Sequence, residues 1–226
     1  MKKSNKLLIA YLILNIGGVF LLYVFSELHG PDVRTIQASK PITYHERSLP
    51  PFSVIVADSG MHFSVEHDYD HKVYLHNTGG MKVPKFKISN DTLYVTDVGL
   101  PADVKPRFFS PKVTYIEGKQ RNRINFLQLQ TDEFSIKIKG GRVDGSFDPN
   151  IEPVVHIEAN NSRIRLNDSS MKVLDLKLDN TECNATKNKI KEIKGSLHYL
   201  SFLTVDLNSK MKLITDDTSR VITDKE

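Results

Sequence analysis

Four of the eight histidines, His62, His67, His71 and His76, fall between positions 62 and 76, the densest cluster of groups in the chain that could bind a metal or titrate near neutral pH. If Asp68-Tyr69-Asp70 is the loop of a hairpin, His67 faces His71 and the pairing continues through Glu66 with Lys72, Val65 with Val73, Ser64 with Tyr74 and Phe63 with Leu75 to His62 with His76. That register joins apolar to apolar and acid to base, as cross-strand pairs prefer. It yields two histidine pairs on opposite faces. A tetrahedral metal site needs more ligands than a pair supplies, and only Asp68 or Asp70 could complete His67 and His71. The expectation is a polar hairpin with weak metal affinity at most.

A second set is basic. Lys137 and Lys139, then Arg163 and Arg165, alternate with the apolar residues Phe134, Ile136, Ile138, Ile164 and Leu166. If the two segments lie on neighbouring strands, four cations form one stripe, which needs carboxylates such as Asp144 and Asp148 or an anionic partner to offset its repulsion. The templates for catalysis are missing: the sequence has no Gly-x-Ser-x-Gly elbow, no His-Glu-x-x-His, no phosphate-cradling glycine loop and no Cys-x-x-Cys. Neither an enzyme nor a cofactor is implied.

The elements that would carry these residues are strands. From Phe52 the apolar positions recur at every second residue, as in Phe52, Val54 and Val56 and again in Met61, Phe63 and Val65, the pattern of a half-buried strand. Residues 97–112 hold Pro101, Pro106 and Pro111 and are expected to form a loop or seam. Beyond it, Leu127–Ile138, Val155–Leu166, Leu174–Thr186 and Leu197–Leu207 read as strand, polar corner, strand, with corners at Thr131-Asp132-Glu133, Asn160-Asn161-Ser162 and Asn180-Thr181-Glu182. A step of about 20 residues with two strands per unit is the mark of a stacked solenoid, each unit covering its neighbour's apolar face. Asn suits such corners because it tolerates left-handed backbone. Stacking Ile157 over Leu176 would set His156 by Asp175 and Glu158 by Lys177, a ladder of opposite charges. The fold class expected is all-β, a β-solenoid, with an evenly spaced antiparallel sandwich as the competing reading.

The segment from Phe52 to Glu66, the Ile88-Ser-Asn-Asp-Thr-Leu-Tyr-Val stretch and the Asn-Ser and Asn-Thr corners together resemble the head-GIN family, described as an auto-transporter adhesin domain. The resemblance covers roughly residues 50 to 224. It implies an exported β-solenoid of Bacteroidota-type envelopes and brings no catalytic residues with it. Asn replaces the family's usual glycine-serine corners.

The start of the chain speaks to location. Leu7 to Phe25 is apolar and uncharged, follows Lys2, Lys3 and Lys6, and at about nineteen residues is long enough to span a bilayer as a helix. Its length and the lack of a small-x-small triplet after Phe25 favour an uncleaved anchor over a cleaved signal peptide. The flanking lysines favour an inside N-terminus. The organisation expected is a cytoplasmic tail (1–6), a transmembrane anchor (7–25), a proline-rich tether (26–51), an N-terminal β part (52–118) and a solenoid part (119–226), with the bulk outside the inner membrane.

Three of the 31 basic residues are the anchor lysines, which leaves 28 against 27 acids. Bulk charge therefore gives a nucleic-acid partner no support. The lone Cys183 excludes an intrachain disulfide and, alternating with Ala185, is expected to be a buried inert thiol. The expected role is binding or scaffolding in the cell envelope, with an acidic glycan, lipid headgroup or protein as partner. A sensing ectodomain or, less favoured, a carbohydrate-active enzyme remains as an alternative.

Overall fold

The computed structural model describes residues 43–77, 86–96, 105–206 and 208–224. The apolar run Leu7–Phe25 and its tether up to residue 42 lie outside them. No helix among the described residues is long and apolar enough to cross a membrane. Alternation of apolar and polar residues has produced strands that assemble into two sheets, one of ten strands and one of nine. The chain passes from one sheet to the other at each corner and pairs in parallel with the coil before it. This is a β-solenoid. Parallel ladders exclude the antiparallel sandwich.

Two facing columns make the core. Ile116, Ile136, Ile157 and Leu176 stack rung on rung in the nine-stranded sheet, and Phe63, Ile124, Val143, Ile164, Cys183 and Leu203 stack in the ten-stranded sheet. All of these side chains are buried. The register expected at the centre of the stack is present, with Ile157 on Leu176, His156 on Asp175 and Glu158 on Lys177. The next rung under Leu176 is Gly195, with φ at +125°; a Cβ there would lie 1.9 Å from the Leu176 carbonyl oxygen. Only glycine fits that rung.

Each coil reverses at two corners, and these hold most of the buried polar residues. At the first edge the backbone N–H of Gly141 donates to Ser162 Oγ, that of Ser162 to Thr181 Oγ1, that of Thr181 to Ser201 Oγ and that of Ser201 to Ser219 Oγ, each at 3.3 Å. The hydroxyls of Ser162 and Thr181 in turn donate to the carbonyls of Asn160 and Asp179. At the second edge Phe147 N–H donates to Ser169 Oγ and Ser169 N–H to Asn188 Oδ1, both at 2.9 Å. Asn161 and Asn180 stand at φ 49° and 45°, the left-handed backbone expected of corner asparagines, and the Asn180 side-chain amide donates to Asn161 Oδ1 at 2.5 Å.

Towards the N-terminus the parallel pattern is interrupted, and the histidine hairpin is not formed. The strand Arg107–Ser110, in the segment expected to be a loop, lies between His62–His67, to which it is parallel, and Lys72–Asn77, to which it is antiparallel. Its rows are Ser64–Arg107–Tyr74, Val65–Phe108–Val73 and Glu66–Phe109–Lys72. The facing of each residue is therefore as expected, with one strand inserted. The reason is chemical. Phe108 fills the apolar row between Val65 and Val73, and Arg107 forks onto Glu66 at 3.0 and 2.8 Å, while Lys72 turns to Asp68 at 2.7 Å.

Leu176 is 1% exposed at the centre of the stack. Leu176→Ala should cost about 2–5 kcal/mol in urea unfolding, whereas the neighbouring Lys177→Ala should stay within roughly 1 kcal/mol, because exposed ion pairs contribute little. Gly195→Ala adds one methyl group and should nevertheless exceed about 2 kcal/mol, from the backbone clash and the positive φ.

Candidate functional site

The outer face of the ten-stranded sheet is built by the strands Arg123–Leu129, Arg142–Phe147, Arg163–Leu166 and Glu182–Ala185. Because Ile124, Val143, Ile164 and Cys183 point into the core, the residue before each points to solvent. Parallel pairing then aligns His62, Arg123, Arg142, Arg163 and Glu182 in a single column. Three arginines stand one rung apart, at about 4.8 Å. Arg142 holds Asp144 in two hydrogen bonds of 2.6 and 3.0 Å, and Asp144 raises its guanidinium above the ordinary value. Arg163 reaches Glu182 at 2.8 Å. Among the described residues, Arg123 and Arg165 make no ion pair within 4 Å. Burial, with the charges of Lys105 and Arg123 beside it, holds the His62 imidazole below its usual value.

The four cations expected to form one stripe are divided between the two sheets. Arg163 and Arg165 lie in the arginine face, but Lys137 and Lys139 belong to Glu133–Lys139, which pairs within the nine-stranded sheet. The contiguous stripe is therefore corrected to a different column. The corners explain it: Thr131-Asp132-Glu133 leads into the nine-stranded sheet and Asn160-Asn161-Ser162 into the ten-stranded one, so aligning them superposes opposite edges of the coil. A signal for the true column is present in the sequence. Arg123, Arg142 and Arg163 each open the strand after a corner pair, Arg121-Asn122, Gly140-Gly141 and Asn161-Ser162.

On the nine-stranded face, charge is largely compensated. Glu158 lies 3.3 Å from Lys137 and 3.9 Å from Lys177, and Asp175 lies 3.3 Å from His156 and 3.4 Å from Lys194. Lys137 and Lys139 line a shallow groove of about 630 Å³ with Lys119, Glu158, Lys177 and Asp179. Cations and acids alternate around it. Tyr115, on the same face, is pushed up to about 12 by burial and by Glu117 and Glu158.

The described histidines of the 62–76 segment have separate partners. His67 Nδ1 lies 3.1 Å from the Pro111 carbonyl, and His71 packs on the Phe52 ring at 5.1 Å while its Nδ1 accepts the Phe52 N–H at 3.4 Å. The side chain of His76 lies outside the described residues. Among the described residues no group of three or more His, Cys, Asp or Glu is placed to hold a metal ion. Cys183 is fully buried, and burial pushes its thiol up to about 12.

No family model and no curated protein matches this chain. Solved structures similar to it include a "putative adhesin" from Parabacteroides merdae, at 10% identity and a TM-score of 0.44, covering 82% of this chain and 97% of that one. A "putative adhesin" from Bacteroides fragilis shares 13% identity at a TM-score of 0.43, covering 82% and 98%. A "putative lipid binding protein" from Parabacteroides distasonis shares 11% identity at a TM-score of 0.39, covering 81% and 96%. The solenoid itself is established by the strand ladders described above.

The His71 contact sets a pH dependence. Desolvation lowers its pKa against the opposing pull of Asp91 and Asp70, and Nδ1 can accept the Phe52 N–H only when unprotonated. His62 is lowered as well. The unfolded chain then binds more protons than the native one as pH falls through the ordinary histidine value of about 6.5, so stability should fall with it. Urea midpoints between pH 7.5 and 5.5 should decrease in the wild type and flatten in His71→Asn; the lowered carboxylates Asp68, Asp148 and Glu192 act only at lower pH.

Proposed function

We propose that this chain is a single-pass inner-membrane protein, anchored by Leu7–Phe25, whose extracytoplasmic solenoid has a binding or scaffolding role in the cell envelope, and that it is not an enzyme. The binding face is the arginine column Arg123, Arg142 and Arg163 with Arg165 beside it, and the partner is an acidic envelope glycan. One observation carries the reading: among the described residues of the strands from Arg123–Leu129 to Glu182–Ala185, the carboxylates beside these four guanidiniums on the same two columns are Asp144 and Glu182. Like charges held one rung apart repel, and the ladder fixes them there, so an external anion is the group that offsets the cost.

Guanidinium suits carboxylates through its planar fork, and a row of forks suits a polymer that presents carboxylates in series. The face is open, with a shallow depression of about 930 Å³ beside the column lined by Ser64, Asn125, Asp144 and Ser146. That geometry fits holding an extended chain along the solenoid axis. The sequence supplies the other half of the proposal, an anchor and a tether that would present the face away from the lipid.

Binding of the detergent-solubilised full chain to immobilised polygalacturonate tests this. Arg123→Gln with Arg142→Gln should weaken binding at least tenfold and lower its salt dependence, with the fold read by circular dichroism unchanged. Lys137→Gln with Lys139→Gln, on the opposite sheet, should change it less than twofold. Equal losses from both pairs, or none from the arginine pair, would overturn the assignment. Vesicles containing phosphatidylglycerol in place of the polymer identify a lipid headgroup if they alone are bound.

A further inference from the structure

Among the described residues the last coil of the solenoid is uncovered. Lys210–Thr215 ends the nine-stranded sheet and Arg220–Asp224 ends the ten-stranded sheet, each paired on one side only. At the opposite end the ten-stranded sheet finishes in antiparallel strands, Thr43–Ser48 on Lys72–Asn77, and the nine-stranded sheet in the short antiparallel Lys87–Ser89. Apolar exposure follows the same polarity. Of the seven large hydrophobic residues exposed among the described residues, Tyr199, Leu200, Met211, Ile214 and Ile222 lie in the last two coils. Met211 and Leu213 continue the inward column above Ile193 and Gly195, and Val221 continues it above Leu203, and no further coil covers them among the described residues.

We infer that this end is a self-association surface: two copies join C-terminal coil to C-terminal coil about a two-fold axis, so that both sheets continue across the junction as antiparallel pairs. The argument is one of register. Antiparallel pairing centred on Leu213 places Leu213 opposite its own copy and Met211 opposite Thr215 on the core side. On the outer side it places Lys212 opposite Ile214. Lys210 then faces Asp216, whose carboxyl is held well below the usual range by hydrogen bonds from Ser219, the Tyr199 N–H and Thr218 and so is charged.

The other sheet obeys the same axis. Leu213 stands three residues before the Asp216–Ser219 corner and Ile222 three residues after it, so the two centres face each other across the coil. Pairing about Ile222 sets Val221 opposite Thr223 and Arg220 on the rung of Asp224. A single two-fold thus satisfies both edges, joins acid to base at Lys210 and Asp216, and covers the open core. Head-to-tail joining has no such match, because the far end presents antiparallel strands, and it would grow into open filaments rather than close as a pair. The outer faces of both sheets stay accessible in the dimer, so the inference does not depend on the anion-binding reading.

Ile222→Cys tests the geometry in the full-length solubilised protein. The Ile222 backbone groups engage the preceding strand, so the two thiols would sit across the dyad as a non-hydrogen-bonded pair at a Cα separation of about 4.5 Å, within disulfide range, and Cys183 is buried and does not compete. Mild oxidation should convert most of the chain to a disulfide-linked dimer, at least tenfold faster than Tyr199→Cys, which is also exposed but lies off the axis. Light scattering should report a dimer for the wild type and a monomer for Leu213→Lys, which opposes two cations on the dyad, with circular dichroism unchanged. Equal crosslinking rates for the two cysteine variants, open-ended oligomers, or a wild type that stays monomeric at about 100 µM would overturn the proposal.

Discussion

The corner N–H groups are the constraint on which this solenoid depends. A coil that turns back on itself twice buries backbone donors at both edges, and an unsatisfied buried donor costs about 1–3 kcal/mol. Here the coil above supplies the acceptor: Ser162 for Gly141, Thr181 for Ser162, Ser201 for Thr181 and Ser219 for Ser201 at one edge, Ser169 for Phe147 and Asn188 for Ser169 at the other. The hydroxyls of Ser162, Thr181, Ser201 and Ser169 pass their own hydrogens to carbonyls of the same corner, so each locks one coil to the next and closes one turn. Stacking order and corner chemistry are therefore one requirement.

Once the corners are locked, the ladders place every outward side chain on a fixed rung, and the two faces follow from which charges share a column. On the nine-stranded sheet His156, Glu158, Asp175, Lys177 and Lys194 alternate in sign, and the face is compensated by short ion pairs. On the ten-stranded sheet Arg123, Arg142 and Arg163 share a column, and among the described residues their ion pairs are to Asp144 and Glu182. The same fold thus carries one face on which charges alternate in sign and one on which three arginines share a column. The asymmetry is set by residues immediately after corners, where the backbone leaves no freedom to turn a side chain away.

The ends of the stack differ as well. The strand Arg107–Ser110 closes the N-terminal side by converting a parallel edge into an antiparallel pair with Lys72–Asn77, sealed by Phe108 and by the Arg107–Glu66 fork. No comparable strand closes the C-terminal coil among the described residues, and Met211, Leu213 and Val221 stand at its rim. An edge of this kind invites another strand.

What the sequence by itself determined is what depends on neighbours along the chain. Period-two alternation assigns Leu174, Leu176, Leu178, Ile157, Ile164 and Leu166 to the core, the Asn corners mark left-handed turns, and a coil step of about 20 residues predicts Ile157 over Leu176 with His156 by Asp175. The facing of Ser64, Val65 and Glu66 against Tyr74, Val73 and Lys72 was also legible, because facing follows from alternation alone. Which strands are adjacent was decided by tertiary structure. Thr131-Asp132-Glu133 and Asn160-Asn161-Ser162 look alike as polar corners yet lie on opposite edges, so Lys137 and Lys139 part from Arg163 and Arg165; and a strand some forty residues downstream inserts between His62–His67 and Lys72–Asn77. Adjacency depends on the path the chain takes through space, and a two-residue or twenty-residue period repeats identically on either edge of the coil.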